Sequence, residues 1–135
     1  MPLLTSVLLV DDDSTTNFLN KALLTRMGVT QQVLTAENGE QALRTLGQTC
    51  LGPESAACPQ LIFLDMNMPV LNGLAFLEAY AQMPLAQRQA VVVVMLTTSL
   101  HPIDVARAQE LPIAGFLNKP LTQEKVQTLL QEHFA

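Results

Sequence analysis

The runs SVLLV (6–10), LIFL (61–64) and VVVVML (91–96) are continuously apolar rather than alternating with polar positions. Strands covered on both faces of a parallel sheet read this way, so these three are expected at the centre of a sheet. The segments QQVLTA (31–36) and PIAGFL (112–117) are shorter or interrupted, with Pro112 opening the second, and suit an edge. Helical patterns separate and follow the strands: Thr15–Met27, with Leu19, Ala22, Leu23 and Met27 on one side; Glu40–Leu46; Leu74–Gln82; Ile103–Glu110; and Thr122–Phe134, with Val126, Leu129 and Leu130 inward. Gly28, Gly47 and Pro84 stand where helices should end, and Thr122 where the last should begin. The stretch Gln48–Gln60, rich in Gly, Pro, Ser and Ala, reads as an insertion ahead of the third strand.

Repeated strand–helix alternation predicts one α/β domain over residues 1–135, a doubly wound five-stranded parallel sheet with helices on both faces. Ligands of such sheets bind beyond the carboxyl ends of the strands, where the strand order reverses. Just past those ends come Asp11, Asp12 and Asp13, then Asp65, then Thr97 and Thr98, then Asn118, Lys119 and Pro120. The opposite ends offer Thr5, Gln31, Gln60 and Gln89, which handle neither phosphate nor metal. Read alone, the DDDS after the first strand is either a helix cap or a cation site. If the first and third strands are neighbours, Asp11, Asp12 and Asp65 converge, and a divalent cation, most simply Mg²⁺, relieves their repulsion.

The formal charge of −5 and the lack of any basic run argue against binding to nucleic acid. Apolar runs stop well short of bilayer-spanning length, so no membrane segment is expected. The N-terminal MPLLTSVLLV lacks the basic opening and cleavage site of a secretory signal, which makes the cytoplasm the default. Cys50 and Cys58 have no histidine or second pair nearby, which excludes a structural zinc site; free loop thiols are expected.

This set resembles the receiver domain of two-component response regulators (CheY-like) across essentially the whole chain. That pattern is an acidic pair after the first strand, a lone Asp after the third followed by Met-Pro and Gly, Ser or Thr after the fourth, and Lys-Pro after the fifth. Here those are Asp11 and Asp12, Asp65 in LDMNMPVLNG, Thr97 in MLTTS, and Lys119 in FLNKP. The resemblance implies strand order 2-1-3-4-5 and a sensor histidine kinase as phosphodonor, with Asp65 as phosphoacceptor. It implies Mg²⁺ held directly by Asp12, chiefly through water by Asp11, by the second oxygen of Asp65, and by the main-chain carbonyl of Asn67. Lys119 would pair with the phosphoryl group and Thr97 would donate its hydroxyl. Phe116, three before Lys119, would form a bistable switch with Thr97 that remodels the surface of the fourth helix, fifth strand and fifth helix. Asn67 and Ser99 would set phosphate lifetime, and the Lys119–Pro120 bond would be cis. Asp13 reads as a helix-start residue, and Met66 and Met68 as packing residues. An aspartate of ordinary pKa, about 3.9, is ionised at neutral pH, so such chemistry requires no general base.

A Mg²⁺-dependent phosphohydrolase of the haloacid dehalogenase type would want a second acid where this chain has Asn67, and a cap domain. A nucleotide or flavin binder would want a glycine-rich loop where three aspartates repel pyrophosphate. A degenerate receiver that only docks proteins would not need the complete acceptor set. The chain ends soon after the fifth helix, so output is expected through a downstream protein target, or through phosphate passed from Asp65 to a histidine phosphotransfer domain.

Overall fold

The computed structural model describes residues 4–50, 58–66, 72–83, 91–97, 106, 110 and 113–134. Five strands form one parallel sheet: β1 (Val7–Val10), β2 (Val33–Ala36), β3 (Leu61–Asp65), β4 (Val92–Thr97) and β5 (Gly115–Asn118), in the order β2-β1-β3-β4-β5. The described helices are α1 (Ser14–Met27), α2 (Gly39–Thr49), α3 (Gly73–Ala81) and α4 (Gln123–Phe134), the last being the fifth expected from the pattern. Most of the expected fourth helix, together with Pro84, Met68, Asn67 and Ser99, lies outside the described residues.

Alternation along each strand explains why the central runs carry no polar positions. Leu8, Val10, Ile62, Leu64, Val93 and Met95 face one core, which α2 and α3 complete with Leu46, Phe76 and Leu77. Val7, Leu9, Leu61, Phe63, Val94 and Leu96 face the other, closed by Leu23 and Leu24 of α1 and by Val126, Leu129 and Leu130 of α4. Full burial of one such side chain stabilises by about 1.5–3 kcal/mol, so neither face could be polar without loss of the fold.

Helix boundaries follow local capping. Asp13 caps α1 by accepting from the Thr15 N–H at 3.0 Å, and Gly28 ends it in the left-handed region at φ 66°. Thr122 caps α4, its hydroxyl accepting from the Lys125 N–H. Gly47, expected to terminate a helix, lies inside α2, which runs on until the Cys50 N–H bonds the Leu46 carbonyl. The expected inward face of α1 also needs correction: Leu19 and Ala22 are exposed, while Asn17, Leu23 and Leu24 are buried. A polar residue occupies the sheet-facing position that the apolar spacing assigned elsewhere.

The cysteines are not free: Cys50 and Cys58 form a disulfide. Cys50 closes α2 and is fully buried, while Cys58 stands just ahead of β3, so the fold brings the two ends of the connection together. Spacing within one loop could not reveal this juxtaposition. The bridge closes a short loop with a sequence separation of 8, for which denatured-chain entropy gives a stabilisation of about 2–3 kcal/mol. The Cys50→Ala/Cys58→Ala chain and the dithiothreitol-reduced wild type should share one urea midpoint, below that of the oxidised protein. Equal midpoints for oxidised and reduced wild type would remove any stabilising role from the bridge.

Candidate functional site

Parallel register sets the site. Val10 pairs with Leu64, so Asp11, one residue beyond, comes level with Asp65. Asp65 pairs with Leu96, and Thr97 with Asn118, so Thr97 and Lys119 follow along the same edge of the sheet. The backbone N–H of Lys119 donates to the Thr97 carbonyl at 2.8 Å, joining the ends of β4 and β5. The Lys119–Pro120 peptide is cis, as expected.

Asp11, Asp12 and Asp65 do converge, each offering a carboxylate oxygen within 4.8 Å of the others. Asp11 and Asp65 are buried and Asp12 is exposed. At such separations each pair of like charges repels by roughly 4 kcal/mol at an effective dielectric of 20. The Lys119 ammonium offsets part of this, donating to Asp11 Oδ2 at 2.7 Å and standing 3.3 Å from Asp65 Oδ1. Burial opposes the charge on Lys119, but the hydrogen bond and ion pair with Asp11, with Asp65 alongside, outweigh it and raise the ammonium above its usual 10.5. One ammonium cannot neutralise three carboxylates, and the remaining charge with its all-oxygen donor set fits a hard divalent cation.

The three acids have distinct surroundings. Asp11 has Oδ1 on the Asp13 N–H at 2.9 Å and Oδ2 on Lys119, which leaves it poorly placed for direct coordination. Asp12 faces solvent. Asp13 turns away to cap α1, and its hydrogen bonds from the Thr16 hydroxyl and the Thr15 N–H hold its carboxyl below the usual carboxylate range. Thr97 is buried at the end of β4. Strand alternation puts it on the face shared by Met95 and Phe116, which are register partners. Phe116 is half-buried and packs beside the α2–α3 core, and Met66 belongs to that core as expected. Asn67 and Ser99 lie outside the described residues.

Gly73 meets the acid site from behind. A Cβ there would stand 2.7 Å from the Asp65 carbonyl oxygen and 3.0 Å from Met66 Cα, and the Gly73 N–H already bonds the Met66 carbonyl. Backbone rather than a flexible side chain would have to yield. A Gly73→Ala chain should therefore lose about 1–3 kcal/mol in urea denaturation and bind Mg²⁺ more weakly. Unchanged stability and unchanged binding together would show that this close approach constrains nothing.

The sequence profile described as the response regulator receiver domain matches residues 7–131. The chain belongs to this family. The receiver domain is 31% identical over 128 residues to a probable chemotaxis protein CheY of Rhizobium etli, covering 95% of this chain and 91% of that protein. Among solved structures it is similar to a two-component response regulator from Cytophaga hutchinsonii, with 28% identity, a TM-score of 0.82 and 94% of each chain covered. It is also similar to the chemotaxis protein CheY4 of Vibrio cholerae, with 27% identity, a TM-score of 0.79 and coverage of 97% of this chain and 99% of that one. Receiver domains are signalling modules of two-component systems and are not generally classed as enzymes. No helix among the described residues of this receiver is long and apolar enough to cross a membrane.

Sequence reasoning passed over the contacts of two polar residues in this receiver. Lys125 donates to the carbonyls of Asn118 and Pro120 at 2.8 and 3.0 Å, bracketing the residue that reaches the acids. Asn17 donates from α1 to the carbonyls of Asp11 and Ala36 at 3.0 and 3.2 Å. No spacing rule marks either residue.

Proposed function

We propose that this receiver accepts a phosphoryl group on Asp65 from a phosphohistidine of a sensor histidine kinase, with Mg²⁺, and that the product alters the surface read by a protein partner. The meeting of Asp11, Asp12 and Asp65 at one end of the sheet, with Lys119 against Asp11 and Asp65, carries this reading. An Asp65 carboxylate oxygen forms a bond to phosphorus as the phosphorus–imidazole bond breaks, and the departing imidazole takes up a proton. Lys119 turns its ammonium from the carboxylates toward the transferred oxygens, and Thr97 donates its hydroxyl to them; such transfers depend mainly on positioning and charge compensation. Asp12, the second oxygen of Asp65, the Asn67 carbonyl and, through water, Asp11 would hold the ion. When bound, Mg²⁺ neutralises the carboxylates and the phosphoryl charge. Catalysis is confined to the protein's own phosphorylation and dephosphorylation, with Asn67 and Ser99 governing the latter.

A partner has a face to approach. Phe18 and Leu19 of α1 are 69% and 60% exposed, and Leu19 borders a cleft of about 370 Å³ that Lys119 and Pro120 also line. Exposed apolar side chains beside a reactive edge suit a docking protein. Movement of Thr97 toward the phosphoryl group draws Phe116 inward and transmits the change along β5. Amide NMR spectra with and without a phosphoryl mimic should differ along β4 and β5, and identical spectra would remove the switch.

The decisive experiment is incubation with acetyl phosphate. We expect one acid-stable, base-labile phosphate per chain, mapped to Asp65 and absent when EDTA removes divalent ions. Sustained turnover of a generic phosphate ester would support a phosphohydrolase instead.

A further inference from the structure

We propose that Asn17 is a positioning residue for the divalent-cation site, acting through the main chain of Asp11; this rests on the reading of the three acids given above. Asn17 is 5% exposed and stands on the sheet-facing side of α1, a position where an apolar residue would add to the core. Its Nδ2 donates to the carbonyl of Asp11, six residues earlier, and to the carbonyl of Ala36 at the end of β2. The Ala36 carbonyl also accepts from the Asp11 N–H at 3.0 Å. One side chain thus ties the ends of β1 and β2 to the first turn of α1.

Its location makes this more than a staple. The turn bearing the acids is held at the Asp11 carbonyl by Asn17 and at Asp11 Oδ1 by the Asp13 N–H. Asp12 lies between those two points and its side chain is exposed, so its direction is set by the backbone on either side. Meanwhile Asn17 Oδ1 is buried with no hydrogen-bond partner among the described residues. An unpaired buried acceptor works against stability, and the two hydrogen bonds that Nδ2 donates to buried carbonyls offset it. Those bonds fix the Asp11 carbonyl, and with it the turn from which the acids project.

Partners that orient metal ligands without touching the ion typically change affinity by about 10–100-fold when removed. Because Mg²⁺ keeps several waters, the lower end applies, and Asn17→Ala should weaken Mg²⁺ binding about tenfold. Asn17→Leu, which keeps the bulk and loses the donor, should do the same. Leu24→Val, a core truncation on the same helix, should lower stability while leaving the Mg²⁺ dissociation constant within about twofold.

The experiment is calorimetric Mg²⁺ titration of the full chain and these three variants, followed by acetyl phosphate uptake at rising Mg²⁺. Support is a weaker dissociation constant in both Asn17 variants only, with uptake restored by excess Mg²⁺. Wild-type affinity in either folded Asn17 variant, or equal weakening in Leu24→Val, overturns the proposal. The wild-type chain supplies an independent reading if the variants do not fold. The Asn17 side-chain amide protons should exchange slowly and shift as Mg²⁺ is added, and an unmoved signal overturns it equally. A wild type that binds no Mg²⁺ would instead sink the proposed function itself.

Discussion

An Asp65→Asn chain is expected to take up no phosphate from acetyl phosphate or from any histidine kinase, under conditions where the wild type takes one per molecule. A carboxamide cannot supply the attacking oxygen, and neither neighbouring acid can replace it. Asp11 has both oxygens engaged, by the Asp13 N–H and by Lys119, and Asp12 is exposed. The fold should survive, because the substitution removes one of three mutually repelling charges while the 2.7 Å Lys119–Asp11 pair persists. Stability in EDTA should therefore stay within about 1 kcal/mol of wild type or rise. Added Mg²⁺ should separate the two chains. At a hundredfold excess over its dissociation constant it stabilises a single-site protein by about 2.7 kcal/mol, and the variant should lose most of that. Mass spectrometry for the adduct and urea denaturation with and without Mg²⁺ read both effects. A labelled Asp65→Asn chain would place the acceptor elsewhere.

Replacing Lys119 with methionine should act in opposite directions on folding and on ion binding. Without the ammonium, buried Asp11 and Asp65 face each other uncompensated, and breaking such a pair costs roughly 3 kcal/mol. The same ammonium competes with any cation for those carboxylates, so the variant should bind Mg²⁺ more tightly, and saturating ion should recover much of the lost stability. Phosphoryl uptake should nonetheless fall, since the point charge proposed to follow the transferred group is gone. The pH dependence has a definite sign. A folded-state pKa raised above 10.5 means that the contribution of Lys119 is complete below that value and is lost as pH climbs through the raised one. The stability gap between wild type and variant should accordingly narrow in alkali above about pH 10.5. Calorimetric titration with Mg²⁺ and urea midpoints across alkaline pH test the two halves separately. Weaker Mg²⁺ binding in the variant would show that Lys119 organises the acids rather than competing for them.

Much of this architecture could be read before any coordinates, and the reason is physical. A strand buried on both faces must be apolar at every position, so Val7–Val10, Leu61–Leu64 and Val93–Leu96 announce themselves. The parallel order then forces the polar residues that follow them onto one edge, which made Asp11, Asp65, Thr97 and Lys119 legible as a group. Less legible was whatever depended on which distant atoms meet. The phase of α1 was misjudged because Asn17, a polar residue, occupies the sheet-facing position and finds its partners on two strands. The Cys50–Cys58 bridge escaped notice because loop composition does not say that its ends return to one place. Lys119 was expected to serve an incoming phosphoryl group, and its hold on Asp11 and Asp65 before any such group arrives emerged only from the structure.

That same bridge divides the molecule's labour along the length of one strand. Cys58 opens the approach to β3 and Asp65 ends it, so at least the length of the strand, roughly 13 Å, lies between them. Whatever is grafted between the paired sulfurs, a reporter peptide or an affinity tag, begins and finishes at points already fastened to the body of the domain. The reactive rim should not register the addition, which makes this connection a natural handle for following the protein while it works.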